Sequence, residues 1–247
     1  VFSALSVDAS GTVDLGGANQ AVGSLRGTAG AVVTTSGAPA TLRVGSDGTN
    51  GNFAGSLQDG AGGLALGLTK VGNSTLTLSG ANTHTGATDV AFGRLVIAGT
   101  GSLVGAGGVH SDVTVRAGGR LEVNGGGLAQ VASLNVQSGG ELVNNGSIEG
   151  FGASITIAGA AVSNVKMNDA TDINVSAGGT LDAQGELSAP LVVNAGTLTV
   201  TGALTGVGTG PHVGPIDLVR NVGVGQTQIN AAFTGLTDFV NTSTSAS

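Results

Sequence analysis

The chain has 247 residues and a net charge of −7, with 9% charged residues, 47 glycines, six phenylalanines and no tyrosine, tryptophan or cysteine. Missing cysteine excludes disulfides, thiolate zinc sites and cysteine nucleophiles, and only eight basic residues leave no electrostatic footprint for nucleic acid or an anionic membrane. No apolar run approaches the ~18 residues of a membrane-spanning helix.

Glycine stands far above its usual share of about 7% and charge far below the usual share of about 25%. The 40% of hydrophobic residues alternate with polar ones, which gives apolar surface to bury and argues against disorder. With so few aromatics, that surface belongs to Val, Leu, Ile and Ala, and the core they build is thin. The chain starts at Val1 without a methionine or signal peptide, so it reads as an excised mature segment.

Taken in order, the first 60 residues show short β-like runs broken by glycine: ALSVDASGTVDLGG, AVGSLRGTAGAVVTTSG and TLRVGSDGTNGNFAGSLQDG. Between Leu64 and Gly99 the text becomes specific, LALGLTKVGNSTLTLSGANTHTGATDVAFGRLVIAG. It resembles the autotransporter-associated β-strand repeat of bacterial type V autotransporter passenger domains. Leu68, Thr69, Lys70 and Gly72 match the lead of that repeat, Thr75 to Gly80 its centre, and Asn82, Thr83, Thr85 and Gly86 its third part. His84 replaces the usual Tyr, Ser74 a common Gly, and Ala91-Phe92-Gly93 a common Asn-Ala-Gly.

Downstream, VTVRAGGRLEVNG, LNVQSGGELVNNG, INVSAGGTLDAQG and LVVNAGTLTVTG share one pattern: apolar, any, apolar, any, Ala or Ser, Gly, then any, Leu, any. Each reads as strand, tight turn, strand, with Gly119, Gly140, Gly179 and Gly196 at the turn, where glycine takes positive φ freely. The spacing fits a period of about 20 residues, within the solenoid range, provided one degenerate copy lies in SIEGFGASITIAG, where Ile155 and Ile157 keep the alternation. Stacked strands would send Leu121, Val123, Leu142, Leu181, Ala183, Leu198 and Val200 inward. Arg120, Glu122, Glu141, Val143, Thr180, Asp182, Thr197 and Thr199 then face water, with Arg120 above Glu141. The prediction is an all-β, right-handed parallel β-helix, a β-solenoid with roughly 20 residues per rung and roughly twelve rungs, the hand following the preference for right-handed crossovers.

Residues 211–240, with two of the four prolines, break the period. They resemble the segment that closes many passengers, so the expected division is a β-helix over 1–210, a cap or autochaperone-like segment over 211–240, and a linker tail over 241–247. The resemblance implies export through the outer membrane of a Gram-negative bacterium, to the cell surface or as a secreted chain, with a C-terminal membrane barrel in the full-length protein. It also implies a stalk or adhesin that meets host-cell or surface glycans or proteins, or other copies of itself. No cofactor, nucleic acid or membrane insertion of this segment is expected.

Residues able to do chemistry are sparse. His84, His110 and His212 have no metal-ligand spacing and read as surface or turn residues. Asp169 and Asp172 in NDATD are the densest acidic pair, and β-helical enzymes that cleave polysaccharide carry carboxylates on the rod; that is the alternative function, although a pair three apart on a loop is ordinarily solvated. Thr75 and Thr77, or Thr197, Thr199 and Thr201, sit on one side of their strands, as β propensity favours, and Arg120, Glu122, Glu141 and Asp182 interrupt any threonine array. No catalytic, cofactor or metal residue is assigned.

Overall fold

The computed structural model describes residues 2–125, 127–150, 154–169 and 172–205, and beyond them the strands at 217–221, 226–229, 233–234 and 238–241. All the described elements are strands, and every strand pairing is parallel. The chain is a β-solenoid whose coils each contribute a strand to three lengthwise faces. The first face is one sheet of eleven strands, from Leu5–Val7 to Gln226–Ile229. The second runs from Thr12–Asp14 to Phe233–Thr234, and the third from Gln20–Val22 to Asp238–Asn241. One nine-residue strand, Leu128–Val136, spans two faces, pairing with Ser147–Gly150 on the second and Ile155–Ile157 on the third.

The alternation in the sequence explains the core. On the first face Leu76, Leu95, Leu121, Leu142, Ala161, Leu181 and Leu198 are successive register partners, all buried. On the third, Val113, Leu134, Ile155, Ile173 and Val192 stack in the same way. Every residue expected to point inward is buried, Leu121, Leu142, Leu181 and Leu198 in the first column and Val123, Ala183 and Val200 in the first-face row beside it, and the degenerate copy falls where it was expected: Glu141 pairs Ala160, and Ala160 pairs Thr180. A fully buried leucine stabilises by about 2 kcal/mol relative to exposure, so each coil gains its stability from the coil beside it.

The period holds from Arg120 to Thr197, with 21 residues from Arg120 to Glu141 and 19 from Asn144 to Ser163, and the next first-face step, from Thr197 to Gln226, is longer. The period lengthens to 25 between Asn50 and Thr75 and between Leu57 and Asn82. The first face counts eleven strands among the described residues, fewer than the roughly twelve rungs expected, because of those longer turns.

The corner glycines divide their work differently from the expectation. Positive φ belongs to the first glycine of each pair, Gly118, Gly139 and Gly178. The second is required by closeness: a Cβ on Gly119 would lie 2.2 Å from the Val90 carbonyl oxygen, and one on Gly179 would lie 2.2 Å from that of Ile157. One glycine turns the chain, and the other lets the coil below approach.

The strands at 217–221 and 238–241 continue the third face, pairing with Leu191–Asn194 and with each other. The expected change of domain at residue 211, and the linker tail beyond residue 241, lie outside the described residues.

Candidate binding face

The segment with the family-like text builds its coil from buried polar side chains. Lys70 is fully buried, and its ammonium donates to the carbonyls of Val71 (2.6 Å), Gly72 (2.9 Å) and Phe92 (3.2 Å). Burial pushes its pKa down to about 8, and three carbonyl acceptors favour the charged form, which therefore persists at neutral pH. Asn82 is equally buried: its Oδ1 accepts from Leu57 N at 3.1 Å, and its Nδ2 donates to the carbonyls of Gly80 and Ser102. It stitches the second face where no strand pairing joins Ser56–Leu57 to Ala81–Asn82. Asp59 takes the N–H groups of Leu66 and Thr85 and the Thr85 hydroxyl.

His84 corrects the expectation of a surface residue. It is 1% exposed, its Nε2 lies 2.9 Å from the Thr88 hydroxyl, and its Nδ1 has no partner. Burial pushes its pKa down to about 4, against a smaller upward pull from the Asp59 carboxylate. The ring is a neutral packing element under a longer turn. His110 sits half-buried in a turn 26 residues further along, and His212 lies outside the described residues. Among the described residues, no three His, Asp or Glu side chains gather into a metal-binding group.

On the first face, Arg120 pairs with Glu141 at 3.1 Å as expected. Glu122, expected in water, is only 6% exposed. Burial works to raise its pKa, but hydrogen bonds from Arg94 and Asn124 and the charges of Arg94 and Arg120 outweigh it and leave the carboxyl lowered. Arg94 Nε donates at 2.8 Å and Arg120 Nε lies at 3.4 Å. Two guanidinium groups fold over it as a lid.

The third face differs. Thr69, Asp89, Thr114, Asn135, Thr156 and Asn174 are successive register partners pointing outward, a column of hydroxyl, carboxylate and amide groups across six coils. Beside it, Ser133 donates to Asp112 at 2.5 Å and Ser154 to Asp172 at 3.3 Å. Toward the N-terminus the neighbouring row carries Thr41, Gly67 and Ala87, which leaves a hollow of about 410 Å³ closed on one side by Asp89 and Arg116, 2.8 Å apart. That ion pair raises the pKa of Arg116, first through the hydrogen bond and then through the Asp89 charge.

This column was missed in the sequence because its members occupy the position read as "any" in the apolar-any-apolar triplets VTV, LNV, ITI and INV. The triplets held the signal: the middle residue is Thr or Asn each time. Asp172 opens a third-face strand, whereas Asp169 closes the second-face strand Met167–Asp169, and the side chain of Asp169 lies outside the description. The two acids therefore belong to strands of different faces. Thr197 and Thr199 lie on the first face, with Thr180 and Asp182 as register partners.

No curated protein and no solved structure matches the chain. Residues 68–97 match the family described as the passenger-associated-transport-repeat, a span that contains Lys70, Asn82 and His84. The matched repeat and the stacked parallel coils together make this chain a β-solenoid that bears an autotransporter passenger repeat.

Proposed function

We infer that the chain works as a display rod outside a Gram-negative cell, an adhesive stalk and not an enzyme. The observation that carries this reading is the third-face column, where polar side chains recur on six successive coils above a continuous aliphatic core. A rod of stacked coils holds such groups at a fixed spacing of about 4.8 Å, and a partner that recognises one coil meets the same chemistry on the next. The partners are glycans or proteins of another cell or surface, or further copies of the rod.

Export as an unfolded chain followed by folding outside suits this architecture. Each coil needs only its neighbour, and no cysteine is present to be trapped in a wrong disulfide. In this reading residues 211–240 close the solenoid and help it start to fold, residues 241–247 link it onward, and a membrane barrel belongs to the full-length protein. The test is display of the chain on a non-adherent cell. Clumping or attachment to a coated surface, lost when the rod is removed, is the expected result, and neither behaviour appearing would overturn the adhesive role.

A further inference from the structure

Which face carries that adhesion, and toward what chemistry, follows from charge and spacing. We propose that the third face binds a neutral, unbranched polysaccharide laid along the rod, across the coils from Thr69 to Asn174, with its deepest subsite in the hollow over Gly67 and Ala87. The proposal rests on the display reading and names the face and ligand class.

Three observations converge on it. From Thr69 to Asn174 the third-face row offers a hydrogen-bonding side chain on six successive coils, with Arg43 before it and Val193 ending it, whereas on the first face Val96, Val143 and Val162 interrupt the equivalent row. The hollow of about 410 Å³ is continuous with this column, since Thr69, Asp89 and Thr114 belong to both. It exists because Gly67 brings no side chain and Ala87 only a methyl where coils further on carry Asp112 and Ser133.

Charge then selects the occupant. Asp89 is matched by Arg116, while Asp112 and Asp172 hold only serine hydroxyls in this row. A polyanion would meet those two carboxylates and a chain of net charge −7. A second copy packed face to face about a twofold axis between Asn135 and Thr156 would set Asp112 against Asp172, with like charges opposed. A neutral sugar chain avoids both costs: its hydroxyls donate to the carboxylates and to Asn Oδ1, and accept from Thr hydroxyls and Asn Nδ2. The coil step of about 4.8 Å is of the same order as the length of one pyranose unit, so a sugar chain laid along the rod meets a hydrogen-bonding side chain about once per unit. No aromatic side chain lies in the column or lines the hollow, so each sugar is held weakly and affinity grows with polymer length.

The test is affinity electrophoresis of the whole chain through gels containing hydroxyethyl cellulose, pullulan or alginate, with Asn135→Lys and Ala87→Lys on the third face and Thr180→Lys on the first. All three positions are exposed, and none is part of the core. The expected result is retardation by at least one neutral polymer, weakened about tenfold or more by each third-face variant and unchanged by Thr180→Lys, with none in alginate. Retardation by alginate alone, equal weakening by Thr180→Lys, or no retardation in any gel would overturn the proposal. So would concentration-dependent self-association that Asn135→Lys abolishes while no polymer binds, because the face would then belong to a second copy. Polymer binding without cell attachment would sink the adhesive role and leave this proposal standing.

Discussion

The coils from Gly119 to Val200 and those from Gly45 to Ser111 solve the same stacking problem with different chemistry. In the later coils, turns are short, small residues let backbone rest on backbone, and Leu121, Leu142, Ala161, Leu181 and Leu198 form an apolar column, while in the row beside it Asn144 hydrogen-bonds Ser163 and the Lys166 carbonyl. In the earlier coils, longer turns leave carbonyls and N–H groups without ladder partners, and Lys70, Asn82 and Asp59 supply them. Both regions need corner glycines that bring no Cβ; the irregular coils also rely on buried side chains that reach backbone groups across longer turns, Lys70 and Asn82, and these must be fully satisfied.

Asn82→Leu breaks the comparison most sharply. It removes the amide partner of Leu57 N and of the Ser102 carbonyl, while Ser102 N still donates to the Gly80 carbonyl, at about 1–3 kcal/mol for each buried group left unsatisfied. Urea unfolding should show a loss of about 4 kcal/mol by that reckoning, with hydrogen exchange rising first around residues 57 and 102. A loss below about 1 kcal/mol would mean that water replaces the amide. Leu121→Ala in the regular half should cost about 3 kcal/mol, within the range for buried leucines, and exchange should rise on the two neighbouring coils alone.

Acid sharpens the contrast further. His84 has a folded pKa of about 4 against an unfolded value near 6.5, so the unfolded chain binds its proton first as pH falls. The stability this neutral ring provides is complete above pH ~6.5 and is lost progressively down to pH ~4, by up to about 3 kcal/mol. Asp59 is the facing acid and opposes the shift. The unfolding midpoint in urea at pH 7.5 and 4.5 measures the loss, which His84→Tyr should reduce; an equal loss in that variant would clear His84 of the effect. The smallest expected change is Glu141→Gln, at about 0–1 kcal/mol and vanishing in high salt, since both partners of the 3.1 Å pair are exposed.

The fold was legible in the sequence because every strand-turn-strand copy repeats the same alternation, which sends Leu121, Leu142, Leu181 and Leu198 to one side whatever the details of the corner. Tertiary neighbours decided the rest. Glu122 is covered by Arg94 from the preceding coil, a residue 28 positions away that no local pattern connects to it. His84 is buried because a turn closes over it, and turn lengths do not show which side chain lies beneath. The candidate face could be read only after register placed Thr114, Asn135 and Thr156 in one row.

Unequal coil length also shapes how the rod answers a pull along its chain. Peeling one coil shortens the stack by only about 4.8 Å but releases roughly 65 Å of slack from a 19-residue coil and about 85 Å from a 25-residue one. A rod pulled along its chain would thus yield in discrete steps, longer ones from the 25-residue coils and shorter ones from the 19-residue coils, while the remaining stack keeps its grip. At Leu128–Val136, where one strand serves two faces, there is no seam at which tearing can pause.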